Sequence, residues 1–161
     1  MKAYPPDPAP SSASATALAP PRLPQFHTVP VRIRADGWTP RRQAEFIGHL
    51  AETRSVGEAA RRVGMARETA YRLRRRDGAE GFAAAWDAAL GKSQALITPR
   101  RMVTTRELIW RVETGQWYLG FHRGRFICAV QKADDSALFR LLARLDRAQP
   151  RSHAAAGTHA R

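Results

Sequence analysis

The stretch SVGEAARRVGMARETAYRLRRR, running from Ser55 to Arg76, decides how the chain folds. Ser55 and Glu58 stand at the S-x-x-E spacing of a capping box, in which each side chain bonds the other's backbone N–H and a helix begins. Within the window Val56–Arg75, Ala59 and Ala60 are small where two helices must approach closely, and Val63 lies on the same face. Gly64 falls at the turn, where the backbone enters the left-handed region that glycine adopts at little steric cost. Met65, Ala70 and Leu73 complete the apolar set. The pattern predicts a helix-turn-helix whose second helix runs from about Arg67 to Arg76 and stops at Asp77-Gly78.

With Ala70 and Leu73 buried, a helical wheel turns Glu68, Tyr71, Arg72 and Arg75 outward, flanked by Arg67 and Arg76. Seven arginines lie between Arg61 and Arg76 against one acid, Glu68, so this face is basic. Guanidinium groups pair bidentately with guanine O6/N7 or with phosphate oxygens. Arg67, Glu68, Tyr71 and Arg72 are therefore candidates for reading base edges, and Arg61, Arg62, Arg74, Arg75 and Arg76 for contacting phosphates. A solvated Arg-biased helix is the plainer alternative. The coincidence of the arginines with the outward positions of the motif favours DNA.

Outward from the motif, Thr39-Pro40 is a helix start, with threonine at the cap and proline at the first helical position. Phe46, Ile47, Leu50 and Ala51 recur at helical spacing and predict a helix over 40–53. Phe82, Trp86, Ala89 and Leu90 predict a further helix packed on the motif. Residues 104–114 read as a helix with Leu108, Ile109 and Val112 inward, closed by Gly115. Gln116–His122 and Arg125–Gln131 flank Arg123-Gly124 as a β-hairpin with a two-residue turn. The expected register sets Trp117 against Val130, Leu119 against Cys128 and Phe121 against Phe126, which makes Cys128 a core thiol. A last helix begins at Asp134-Asp135, a capping pair, and carries Leu138, Leu141, Leu142 and Leu145 on one face.

Eight of the eleven prolines fall in residues 1–30. Residues 1–37 are accordingly expected to be a disordered Pro/Ala/Ser-rich arm, and 149–161 a disordered tail. Between them lie a helix-turn-helix domain over 38–98 and a helix/hairpin/helix region over 99–148. The fold class is thus mainly α. The net charge of +13 and pI of about 11.4 suit a polyanionic partner. Only three of the 27 basic residues are lysine, an Arg bias that a high-GC genome produces for any protein, so the placement of charge weighs more than its total.

Residues 38–90 resemble small proteobacterial helix-turn-helix proteins, similar in pattern to the DNA-binding module of phage terminase small subunits. The likeness is carried by Trp38-Thr39-Pro40, Phe46-Ile47, Leu50-Ala51, Ser55-Val56, Ala59-Ala60, Val63-Gly64-Met65, Ala70-Tyr71-Arg72-Leu73-Arg74, Phe82 and Ala85–Leu90. The resemblance implies a homeodomain-like helical fold and binding to double-stranded DNA. Ala66 departs from the pattern, which usually has a serine there to cap the second helix.

Other chemistry finds little support. One cysteine excludes an internal disulfide, and His27, His49, His122, His153 and His159 have no metal-ligand spacing. His27, His153 and His159 fall in the expected tails, and His49 at the rim of the first helix. No phosphate loop or nucleophile elbow is present, so neither an enzyme nor a cofactor is expected. No apolar run reaches membrane-span length and no secretory signal is readable, which makes a cytoplasmic, nucleoid-associated protein the expectation. The leading reading is a sequence-specific transcriptional regulator, and a homodimer is compatible with it. The alternatives are a phage-derived DNA-packaging component and a protein-interaction module built from the hairpin and last helix.

Overall fold

The computed structural model describes residues 23–92 and 102–148. The expected arm as far as residue 22, the tail 149–161 and the stretch 93–101 lie outside the described residues. The elements are α1 (Pro40–Thr53), α2 (Val56–Arg62), α3 (Arg67–Arg74), α4 (Glu80–Ala89), α5 (Thr105–Thr114), β1 (Gln116–His122), β2 (Arg125–Lys132) and α6 (Asp135–Ala148). The fold is mainly helical, with one antiparallel hairpin among the described residues. No helix among the described residues is long and apolar enough to cross a membrane.

The Thr39 side chain accepts from Arg42 N–H and Pro40 occupies the first turn, so α1 starts where its sequence dictates. Its inner face buries Phe46, Ile47 and Leu50 completely. Phe46 lies 4.9 Å from Trp86 and 6.1 Å from Phe82 between ring centroids, which fixes α4 against α1. The small Ala59, Ala60 and Ala70 are also fully buried, and let α2 and α3 close on this cluster.

The hairpin turns through Arg123 (φ 48°) and Gly124 (φ 77°), both left-handed as a tight two-residue turn requires. Phe121 pairs with Phe126 as expected. Beyond them the register is corrected: Trp117 pairs with Gln131 and Leu119 with Ala129, not with Val130 and Cys128. A bulge inserts Ile127 between the Phe126 and Cys128 pairings, and one extra residue reverses the facing of every side chain after it. Cys128 is consequently exposed and is not a core thiol.

Trp117 belongs to the same buried cluster as α1 and α4, with Leu119, Phe121 and Ala129 packed against it. The Phe126 ring lies over Gly48 of α1, where a Cβ would overlap it. The described parts of the expected regions 38–98 and 99–148 therefore share one core.

The expected arm is corrected as well, because its last residues are built into the fold. Phe26 and Trp117 exchange backbone hydrogen bonds of 3.3 and 2.9 Å, which adds a short extended segment beside β1. Buried Gln43 accepts from Val29 N–H at 2.7 Å and donates to Val29 O at 3.1 Å, satisfying that backbone as a neighbouring strand would. Trp110 Nε1 donates to Thr28 O at 3.0 Å. His27, far from being a tail residue, has its Nε2 2.7 Å from Asp134 Oδ2. Burial, outweighing this contact, pushes the His27 imidazole below its ordinary range. Burial opposes ionisation of Asp134 too, but hydrogen bonds from His27 and Ala137 N–H hold its carboxyl below the usual value.

This packed segment sets the face of α5. Glu107, Leu108, Trp110 and Thr114 are buried, while Ile109, expected inward, is exposed and Val112 is half-buried. Asp134 caps α6 through Ala137 N–H at 3.1 Å. In α6 only Ala137 is buried, and Leu138, Leu142 and Leu145 remain exposed.

Candidate nucleic-acid interface

The turn between α2 and α3 is held by Gly64 at φ 69°, with Gly64 N–H bonded to Arg61 O (3.1 Å) and Met65 N–H to Ala60 O (2.9 Å). This pair of bonds is a Schellman closure, which satisfies the last carbonyls of α2 and redirects the chain. Val63, Ala70 and Leu73 are buried beneath it and Met65 packs alongside, as the motif requires.

The capping box at Ser55 is half-formed. Ser55 Oγ accepts from Glu58 N–H at 3.4 Å, but the Glu58 carboxylate turns away from the cap. It accepts from Arg61 (Nη2, 2.8 Å; Nε, 3.0 Å) and from Arg62 Nε (3.1 Å). Arg62 Nη1 also lies 3.0 Å from Glu52. Hydrogen bonds from Arg61 and Arg62 hold the Glu58 carboxyl below its usual range. The charge of α2 is thus largely satisfied within the protein.

The N-cap of α3 is Ala66, extended at φ −75° and ψ 140° with no side-chain cap. Thr69 steadies this end, donating to Ala66 O at 2.6 Å and accepting from Trp38 Nε1 at 3.1 Å. The helix ends at Arg74, not at Arg76 as expected. Arg75 N–H and Arg76 N–H bond back three residues, to Arg72 O and Leu73 O, so the last turn tightens before Gly78 at φ 80°.

Arg74 points inward. Its Nη2 donates to both carboxylate oxygens of Asp87, at 2.8 and 2.9 Å, and its guanidinium lies 5.4 Å from the Trp86 ring. Asp87 is buried, so this contact locks α3 to α4. The Tyr71 ring leans on the other side of that junction, 5.5 Å from Trp86, with 39% of the residue exposed.

The remaining arginines differ. Arg72, Arg75 and Arg76 are exposed and have no carboxylate within 4 Å among the described residues. Arg67 and Glu68 form a loose pair at 3.5 Å with both side chains largely in solvent. One face of α3 therefore presents Arg67, Glu68, Tyr71 and Arg72, with Arg75 exposed just past its end. Beyond its end, Arg75 and Arg76 share a cleft of about 500 Å³ with Pro30, Thr104, Arg106 and Glu107. Arg106 was not a sequence candidate, since nothing in its local pattern connects α5 to α3. No family model, curated protein or solved structure matches the chain.

Proposed function

We propose that this protein is a sequence-specific DNA-binding protein that acts as a transcriptional regulator, with α3 as its recognition helix. The observation that carries the reading is the exposed guanidinium set of Arg72 on α3 and Arg75 and Arg76 just past its end, unpaired among the described residues, on a unit closed by a Schellman turn. Such groups are free to exchange water for guanine edges or phosphate oxygens without first breaking an ion pair. Arg67, Glu68, Tyr71 and Arg72 read bases, and Arg75 and Arg76 hold phosphates. Arg61 and Arg62 contribute less, because Glu58 and Glu52 compete for them, and Arg74 serves the α3–α4 junction.

Selection of bound duplexes from a random library tests this reading. The full chain should enrich one motif, and Arg72→Ala should relax it at one position. Recovery of unenriched sequence, or no retention of DNA, would overturn it.

A second reading is favoured by the exposed Leu138, Phe139, Leu142 and Leu145 of α6, which are a large apolar group for a surface helix. In that reading residues of α6 dock a protein partner. Partner capture that survives neutralising Arg72 and Arg75 but fails in Leu142→Asp would support it.

A further inference from the structure

The cleft between the end of α3 and the start of α5 is lined by three guanidinium groups, those of Arg75, Arg76 and Arg106. All three side chains are exposed, and none has a carboxylate within 4 Å among the described residues. Two acids also line the cleft. Glu107 is bonded to Arg111 at 3.0 Å, which leaves Asp77 as the opposing charge. The lining is therefore net positive, and wide enough at about 500 Å³ to admit a phosphodiester with its water.

Arg75, the C-cap of α3, lines this cleft, so the cleft adjoins the end of the recognition helix. Three like charges held around one cleft repel one another, and an anion seated among them relieves that repulsion. Position is fixed from both sides. Arg74–Asp87 locks the end of α3, and the Trp110–Thr28 bond ties α5 to the extended segment that also carries Pro30 into the cleft.

We propose that this cleft is a phosphate-binding site for the backbone of duplex DNA held by α3, with Arg106 supplying a contact from outside the helix-turn-helix. The proposal rests on the DNA-binding reading above and deepens it. The cleft opens at the C-terminal end of α3, where Arg75 lines it, so a backbone phosphate beside that end would face Arg75, Arg76 and Arg106. The second half of the chain then contributes to affinity without contributing to base choice.

The test is equilibrium titration of the full-length chain, Arg106→Ala and Arg106→Lys against a labelled duplex over a range of salt, with thermal melting as a control for folding. Arg106→Ala should lower the slope of log K against log salt by about 0.9. It should weaken selected and random duplexes by the same factor, about fivefold at physiological salt. Arg106→Lys should keep the slope, because a phosphate accepts either cation. An unchanged slope in Arg106→Ala, beside a wild-type chain that binds, overturns the cleft and leaves the recognition helix standing. A wild-type chain that fails to bind at low salt overturns both.

Discussion

The arginines of α2 and those on the exposed face and just past the end of α3 lie in one continuous stretch of sequence, yet the fold treats them in opposite ways. Arg61 and Arg62 are gathered by Glu58 and Glu52, and Arg74 by buried Asp87. Arg72, Arg75 and Arg76 reach solvent unpaired among the described residues. The difference teaches that a basic run is not one functional unit. A paired guanidinium must surrender its carboxylate before it can take a phosphate, whereas an unpaired one exchanges only water.

The largest effect that could break this comparison comes from Arg74→Ala. It would strand the Asp87 carboxylate in the α3–α4 junction and cost on the order of 3 kcal/mol of stability, measured by urea denaturation. Any loss of DNA binding should then follow the unfolded fraction. Arg72→Ala is the mirror case: binding to a selected site should fall by about 2 kcal/mol, while the urea midpoint stays within error. If the two variants exchanged these phenotypes, the division into structural and DNA-facing arginines would collapse.

Smaller effects sharpen it. Ala66→Ser should supply the missing cap of α3, since the backbone there is already extended, and raise stability by about 1 kcal/mol in a thermal melt. A decrease would mean that Thr69 and Ala66 O already fill that role. The smallest effect belongs to Glu58→Gln, which releases Arg61 and leaves Arg62 paired with Glu52 alone. DNA affinity at low salt should rise about twofold, with a steeper salt slope. A fall in affinity would place Glu58 itself in the interface.

Much of the helical core was legible because steric demand shows in residue type. Ala59, Ala60 and Gly64 have to be small or glycine where they stand, and Phe46 and Leu50 in α1, like Phe82 and Trp86 in α4, stand four residues apart. The described end of the expected arm, from residue 23, departs from the expectation because proline content spoke for disorder, while the compensating signal lay elsewhere. Gln43, a polar residue on the buried face of α1, has its hydrogen bonds satisfied by Val29 and Trp38. The bulge at Ile127 was hidden because alternation around it is equally good in either register. Ile109 and the leucines of α6 show a further limit: periodicity identifies an apolar face but does not say whether the chain itself covers it. Within the candidate interface, the outward positions of α3 could be read from a helical wheel. The pairing of Arg74 with Asp87 and the approach of Arg106 could not, since both depend on how separate helices meet.

That guanidinium groups unpaired among the described residues, at the end of α3 and in the adjoining cleft, hold DNA is the proposal to be tested. Its most direct test is titration of a labelled random duplex with the full-length chain between about 50 and 200 mM salt. Binding should appear at the low end and weaken with a slope of about −3, close to one released counterion for each of Arg75, Arg76 and Arg106. No binding at about 50 mM salt, or binding indifferent to salt, would contradict the account.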